Sequence, residues 1–337
     1  AHWLNTQCSR QLRQTQRLGF VAESACHKNM SAVVQALIGS SVASGGDIVL
    51  VQSASGTTAT GSAGLIVPFG AAVVTAAGTG QGTYTYTGQH NGRPYFNISG
   101  TDPEFSSISY NARWRLFDGA VLAYRTTVNS NLLPWETATW TDQGGGLPVP
   151  IINCSAPVTA GNSVIALVSL DDSGDGGFDQ APIQVGGGDT VLDLEVQEGG
   201  ATATRVGIFS NHNVSSGITG IALDTAQAVR ASMQILEVSG LADAVATDTD
   251  TASGNTATPG VAGLSGNGLA IIISAYANAT SAYSSGPSGG FTRIGTGTGG
   301  ASVYQESYYL IGAAGASTIT LSGALDTASA GAVVGGV

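Results

Sequence analysis

Short apolar runs of strand length, each cut off by glycine, serine, asparagine or aspartate, recur along almost the whole chain. Runs of that length bounded by turn signals read as β-strands, and glycine supplies the positive φ angles that tight turns need. Glycine takes 49 of the 337 positions and charged residues only 10 % of them. That low charge, with 42 % hydrophobic residues, is far from a disordered composition. The expected fold is all-β: a small antiparallel β-meander module followed by a β-sandwich or jelly-roll-like domain.

Charge narrows the function classes. The formal net charge is -11 and Lys28 is the one lysine. A nucleic-acid binder needs a basic stripe to displace counterions from phosphates, so nucleic acid is not an expected partner. The apolar runs, such as Leu269–Ile273, fall far short of the ~20 residues of a membrane-spanning helix. Cys8, Cys26 and Cys154 contain no CxxC pair, and no histidine has a second one at metal-ligand spacing.

Four segments differ in composition. Residues 1–29 are Gln-rich and basic, and read as an N-terminal arm or as an upstream extension ahead of Met30. Residues 30–71 read as a short β segment, with strands at Asp47–Gln52 and Ala63–Phe69 and a polar loop, SASGTTATGS, between them. Residues 72–148 hold half of the aromatic residues and four arginines. There, Thr83–Thr87 alternates strictly, which puts Tyr84 and Tyr86 on one face of a strand. Asn91-Gly92 is a hairpin signal, and Asp118-Gly119 turns ARWRLF into VLAYRT. Residues 149–337 carry about nine strand-like runs, the pattern of a β-sandwich. Within them, Arg230–Val238 sets Ala231, Met233 and Ile235 against a polar face of Arg230, Ser232 and Gln234, whereas Leu269–Ile273 reads as buried on both faces.

The aromatic and arginine set of the middle segment is the candidate binding face: Tyr84, Tyr86, Tyr95, Trp114, Tyr124, Trp135 and Trp140, with Arg93, Arg113 and Arg115. Such residues dominate interface energetics and stack on sugar rings. A module of this size also needs aromatics for its own core, so the two roles compete. Asp171, Ser173, Asp175 and Asp179 lie in DDSGDGGFD, spaced like the start of a calcium loop. Pro182 stands where the bidentate acid belongs, so the stretch reads either as a Ca2+ site completed from elsewhere or as a solvated acidic turn. No other cofactor is indicated. Gly286-Pro287-Ser288-Gly289-Gly290 matches the nucleophile-elbow pattern, but a strand-like segment follows it instead of a helix. Gly295, Gly297 and Gly300 match a dinucleotide pattern but also run into a strand. Glu136, beside Trp135 and Trp140, is the best-placed acid for polysaccharide cleavage.

The segments TYTYTGQHNGRPYFN, ARWRLFDG, AYRT and LPWETATW together resemble a small β module that recurs in structural proteins of tailed phages and environmental viruses, and in some large bacterial surface proteins. The run SVIALVSL … ILEVSGL … GLAIIISAYA is similar in style to the Gly/Ala/Thr-rich sandwich domains of virion surface proteins. The resemblance implies a non-enzymatic capsid decoration, cement, fibre or tail protein. It implies other virion proteins as partners, homo-oligomers such as trimers, and a place on the virion surface or outside the cell. A secreted carbohydrate-binding module that takes a host-surface glycan, and a polysaccharide depolymerase, stand as the alternatives.

Overall fold

The computed structural model describes residues 47–58, 64–75, 77–98, 102, 106–126, 132–136, 139–144, 146–171, 181–186, 191–199, 204–223, 230–241, 252–253, 256–257, 260–264, 268–277, 290–299, 303–311, 315–318, 321–322 and 327–336. The expected arm at 1–29 lies outside them. Among the described residues there is no helix, and every strand pairing is antiparallel.

A five-stranded central sheet runs in the order β1 (Val49–Thr57), β16 (Arg230–Ser239), β11 (Ser163–Asp171), β14 (Thr204–Asn211), β13 (Asp193–Gly199). A three-stranded sheet joins β12 (Ile183–Val185), β15 (Gly220–Leu223) and β2 (Leu65–Pro68). An outer five-stranded sheet joins β17 (Ala252–Ser253), β25 (Thr327–Gly336), β20 (Gly268–Ala277), β22 (Val303–Ile311) and β21 (Thr292–Gly299). Two short pairs, β18 (Thr256–Ala257) with β24 (Leu321–Ser322) and β19 (Gly260–Leu264) with β23 (Gly315–Thr318), accompany it. The largest sheet is a curled meander: β10 (Ile151–Cys154), β3 (Ala72–Thr75), β4 (Gly82–His90), β5 (Arg93–Asn97), β6 (Ser107–Tyr110), β7 (Trp114–Asp118), β8 (Val121–Thr126) and β9 (Trp140–Asp142).

Side-chain alternation explains how these sheets stack. Along β11, Ile165 and Leu167 enter a core shared with Leu269, Ile271 and Ile273 of the outer sheet. Val164, Ala166 and Val168 enter a second core shared with Leu65, Val67, Ile221 and Leu223 of the three-stranded sheet. The three-stranded sheet repeats the device. Its Ile66, Ala222 and Val185 turn the other way, into a third core with Tyr84, Phe96, Trp114 and Tyr124 of the meander. The order of layers is therefore outer sheet, central sheet, three-stranded sheet, meander. In these middle layers β2, β11 and β15 are packed on both faces, and these strands are near-continuous apolar runs.

Several expectations hold at the level of residues. Asn91 and Gly92 both have positive φ, 51° and 72°, as a two-residue hairpin turn requires. Leu269–Ile273 is buried throughout, no residue more than 2 % exposed. Others need correction. The polar stretch Ser53–Thr57 was expected as loop, yet it continues β1, because β16 supplies ladder partners as far as Thr57↔Ser232. The boundary expected at residue 148 is crossed, since β10 pairs with β3 and closes the free side of the meander. Within the expected segment 30–71, the described strands β1 and β2 edge the central sheet and the three-stranded sheet.

Candidate functional site

The curled meander gathers most of the aromatic set, but not on one exposed face. Tyr84, Trp114 and Tyr124 are 0 % exposed and Trp140 is 4 % exposed, all in the core against the three-stranded sheet. Their polar tips are satisfied locally: the Tyr84 hydroxyl donates to Gly80 O at 2.8 Å, and Gly78 N–H donates to the Tyr124 hydroxyl at 2.9 Å. These four residues are core, which corrects their assignment to a binding face. The physical reason is area: a small sheet fills its core with its largest apolar side chains, and these four join Phe96, Ile108 and Leu116 there.

Burial falls off toward the β4–β5 hairpin, and what remains there is a rim. Tyr86, Tyr110 and Trp135 are only half-buried against the same core. Tyr86 meets Phe96 edge-on, with centroids 6.0 Å apart, and Phe96 meets Trp135 at 5.4 Å. Tyr110 meets Trp114 at 5.6 Å, and the Arg93 guanidinium lies over the Tyr110 ring at 5.4 Å. Gln89 ties the rim to the three-stranded sheet: its Nε2 donates to Ile66 O at 2.6 Å and to the Tyr86 hydroxyl at 2.9 Å. Burial pushes the Tyr86 phenol up to about 12, against the smaller opposing effect of the Gln89 hydrogen bond. The loop carrying Trp135 is fixed by Glu136, whose Oε2 accepts from the N–H groups of Leu132 and Leu133 at 3.0 and 3.1 Å.

The remaining members of the set scatter. The ring of half-buried Tyr95 covers Gly88, 3.3 Å from where a Cβ would stand, and Tyr95 meets His90 edge-on at 6.3 Å. Burial raises its phenol, and Asp102 adds to the effect. Arg113 is exposed in the turn 111–113, where Ala112 has φ 52°. Arg115 lies over Phe117 at 5.2 Å, directly opposite Arg125 on β8. Of the sequence-predicted face, then, Tyr86 and Trp135 meet through Phe96, while Arg93 lies over Tyr110. Tyr110 and Gln89 belong with them and were missed. The hairpin register could have found Gln89, which pairs with Pro94 beside Arg93.

Two buried carboxylates lie elsewhere. Glu237, 1 % exposed, accepts from Thr159 N–H at 2.8 Å, from Asn162 Nδ2 at 2.6 Å and from Gln52 Nε2. Glu306, 2 % exposed, accepts from Arg293 Nη2 at 3.1 Å and from the Tyr308 hydroxyl. Both sit in structural networks that satisfy their charge. The thiol of half-buried Cys154 is pushed up by burial, away from thiolate chemistry. The side chains of Asp171, Ser173, Asp175 and Asp179 lie outside the described residues, and so does most of the GPSGG segment. Among the described residues no group of three or more His, Cys, Asp or Glu side chains is placed to hold a metal ion. The dinucleotide-like Gly295 and Gly297 lie within β21, a strand, where no helix N-terminus exists to receive a pyrophosphate. No protein-family model, no curated protein and no solved structure matches this chain, so its reading rests on its own residues.

Proposed function

We propose that this chain is a non-enzymatic structural protein of the decoration or fibre type, which works by packing against other protein subunits, including copies of itself, on the surface of a particle. The observation that carries this reading is a row of aliphatic side chains at the end of the meander. Leu147, Val149 and Ile151 are 41, 51 and 53 % exposed, and alternate positions put them on one side of the segment that leads into edge strand β10. Fully burying such a side chain yields about 1.5–3 kcal/mol, so a partner that covers all three gains a substantial driving force. The stacked sheets of residues 163–336 serve, on this reading, as the jelly-roll-like sandwich of a surface subunit, and a virion surface is the place the sequence resemblance suggests. The bonding of Glu136 to its own turn weighs against a depolymerase, because that carboxylate already caps two backbone groups.

The test is association in solution and on particles. Light scattering on the purified chain should find an oligomer, which Val149→Glu with Ile151→Glu dissociates without changing the far-UV spectrum. A monomer at all concentrations, with no stoichiometric recovery on particles from the source, would sink the reading. A second reading has one specific support. The rim presents three half-buried aromatic rings and a guanidinium, chemistry suited to a glycan. It expects glycan-array binding that Trp135→Ala abolishes and that the edge-strand substitutions leave intact.

A further inference from the structure

The alternation along β16 puts Ser232 and Gln234 on a polar face, yet they are 0 % and 1 % exposed. They lie on the side of the central sheet that carries Leu236 and Val238 into the core shared with the outer sheet. Ser169 stands directly opposite Ser232 on β11. From the outer sheet, Gln305 and Ser307, both 0 % exposed, belong to the same polar seam. Half of the seam is closed by direct bonds. Ser169 Oγ donates to Gln305 Oε1 at 2.8 Å, and Gln305 Nε2 donates to Leu167 O at 3.3 Å and to Ser307 Oγ at 3.1 Å.

The other half has no such closure. Gln234 Oε1, Gln234 Nε2 and Ser232 Oγ are buried without a protein partner. A buried amide and hydroxyl left unbonded are costly, and native interiors meet that cost with ordered water where the site is polar and roomy. The orphaned amide faces Gly295 on β21, where only Gln234 Nε2 and Cδ, among the described residues, come within 4 Å of where a Cβ would stand, at 3.0 and 3.7 Å. On β1, Ser55 stands opposite Gln234 and Thr57 opposite Ser232. Ser55 is exposed and Thr57 half-buried, so the polar row continues from the seam out to solvent. The polar partners of Gln234 and Ser232 across the ladders, Ser55, Thr57 and Ser169, are neutral donors and acceptors, which suits water rather than an ion; the charged Arg230 follows Ser232 on the same face, opposite Asp171.

We infer that the seam between the central and outer sheets is a hydration site, in which ordered water beside Gly295 bridges the Gln234 amide and the Ser232 hydroxyl and exchanges with solvent past Ser55. The protein carries its own control: Gln305, in the same seam, is bonded directly and stays dry. In the full chain labelled with 15N-glutamine, water-to-amide cross-relaxation should appear at the Gln234 side chain and not at Gln305. Gly295→Ala should abolish the Gln234 signal and leave the far-UV spectrum unchanged. Ser232→Ala, which adds no bulk, should weaken it at least twofold and serves if the alanine at 295 prevents folding. The inference falls if Gln234 shows no water contact, if both amides show it equally, or if the substitutions leave the Gln234 signal untouched.

Discussion

Glu237 shows how much a single side chain organises. One carboxylate joins β16 to β1 through Gln52 and to the loop after β10 through Thr159 and Asn162. Every partner is a donor, so Glu237→Gln would turn an amide N–H toward at least one of them. We expect a loss of about 1.5–3 kcal/mol in urea unfolding, the range for hydrogen bonds to a charged group. The buried phenols set an alkaline limit. Tyr84 and Tyr86 are each raised from 10.0 to about 12, chiefly by burial. A raised phenol favours the folded state by keeping its proton, so its contribution is whole below pH 10 and is lost as pH climbs from 10 to 12. Urea midpoints measured at pH 9, 10, 11 and 12 should hold level at first and then fall. Arg115 and Arg125 face each other across β7 and β8, an unfavourable like-charge pair. Arg125→Glu should stabilise the chain by up to about 1 kcal/mol at low salt, less at high salt. The Glu237 network was not legible in the sequence, because it joins residues that only the fold brings together.

Strands were far more legible than their neighbours in space. The tyrosines of Thr83–Thr87 share the core side while Thr83, Thr85 and Thr87 are exposed, as period two demands. Ala231, Met233 and Ile235 likewise share one core. What alternation cannot say is whether a polar face meets water or another sheet, and Ser232 and Gln234 meet another sheet. The same blindness put Tyr84, Trp114, Tyr124 and Trp140 on a binding surface. Short strands such as β12 were missed because a three-residue run carries no period, and β25 because glycine and alanine dilute its pattern. Close approach between strands also depends on small residues. Gly220 pairs with Pro68, and a Cβ on it would stand 2.7 Å from Val67 O. Gly220→Ala must push β15 away from β2, and we expect thermal unfolding to reveal a loss of about 1–3 kcal/mol.

At the scale of the molecule, residues 47–337 form one compact unit rather than a chain of modules. The three-stranded sheet is shared property, since Leu65 and Val67 serve one core and Ile66 the next. Trp114, Trp135 and Trp140, three of the four tryptophans, lie in the meander region, so in a Trp3→Phe chain tryptophan fluorescence reads that layer, whereas far-UV circular dichroism reads every sheet. The two signals should trace the same urea transition, and Ile66→Ala should move both together, by about 2–5 kcal/mol. A fluorescence change that runs ahead would mark the meander as a separate folding unit. The shared sheet also dictates when the chain can finish folding. Its strands come from residues 65–68, 183–185 and 220–223, so the earliest of them must wait, without its neighbour, until the last has left the ribosome. Pairings so distant in sequence make for slow folding, and until they form, a chaperone has an apolar ribbon at Leu65–Phe69 to hold.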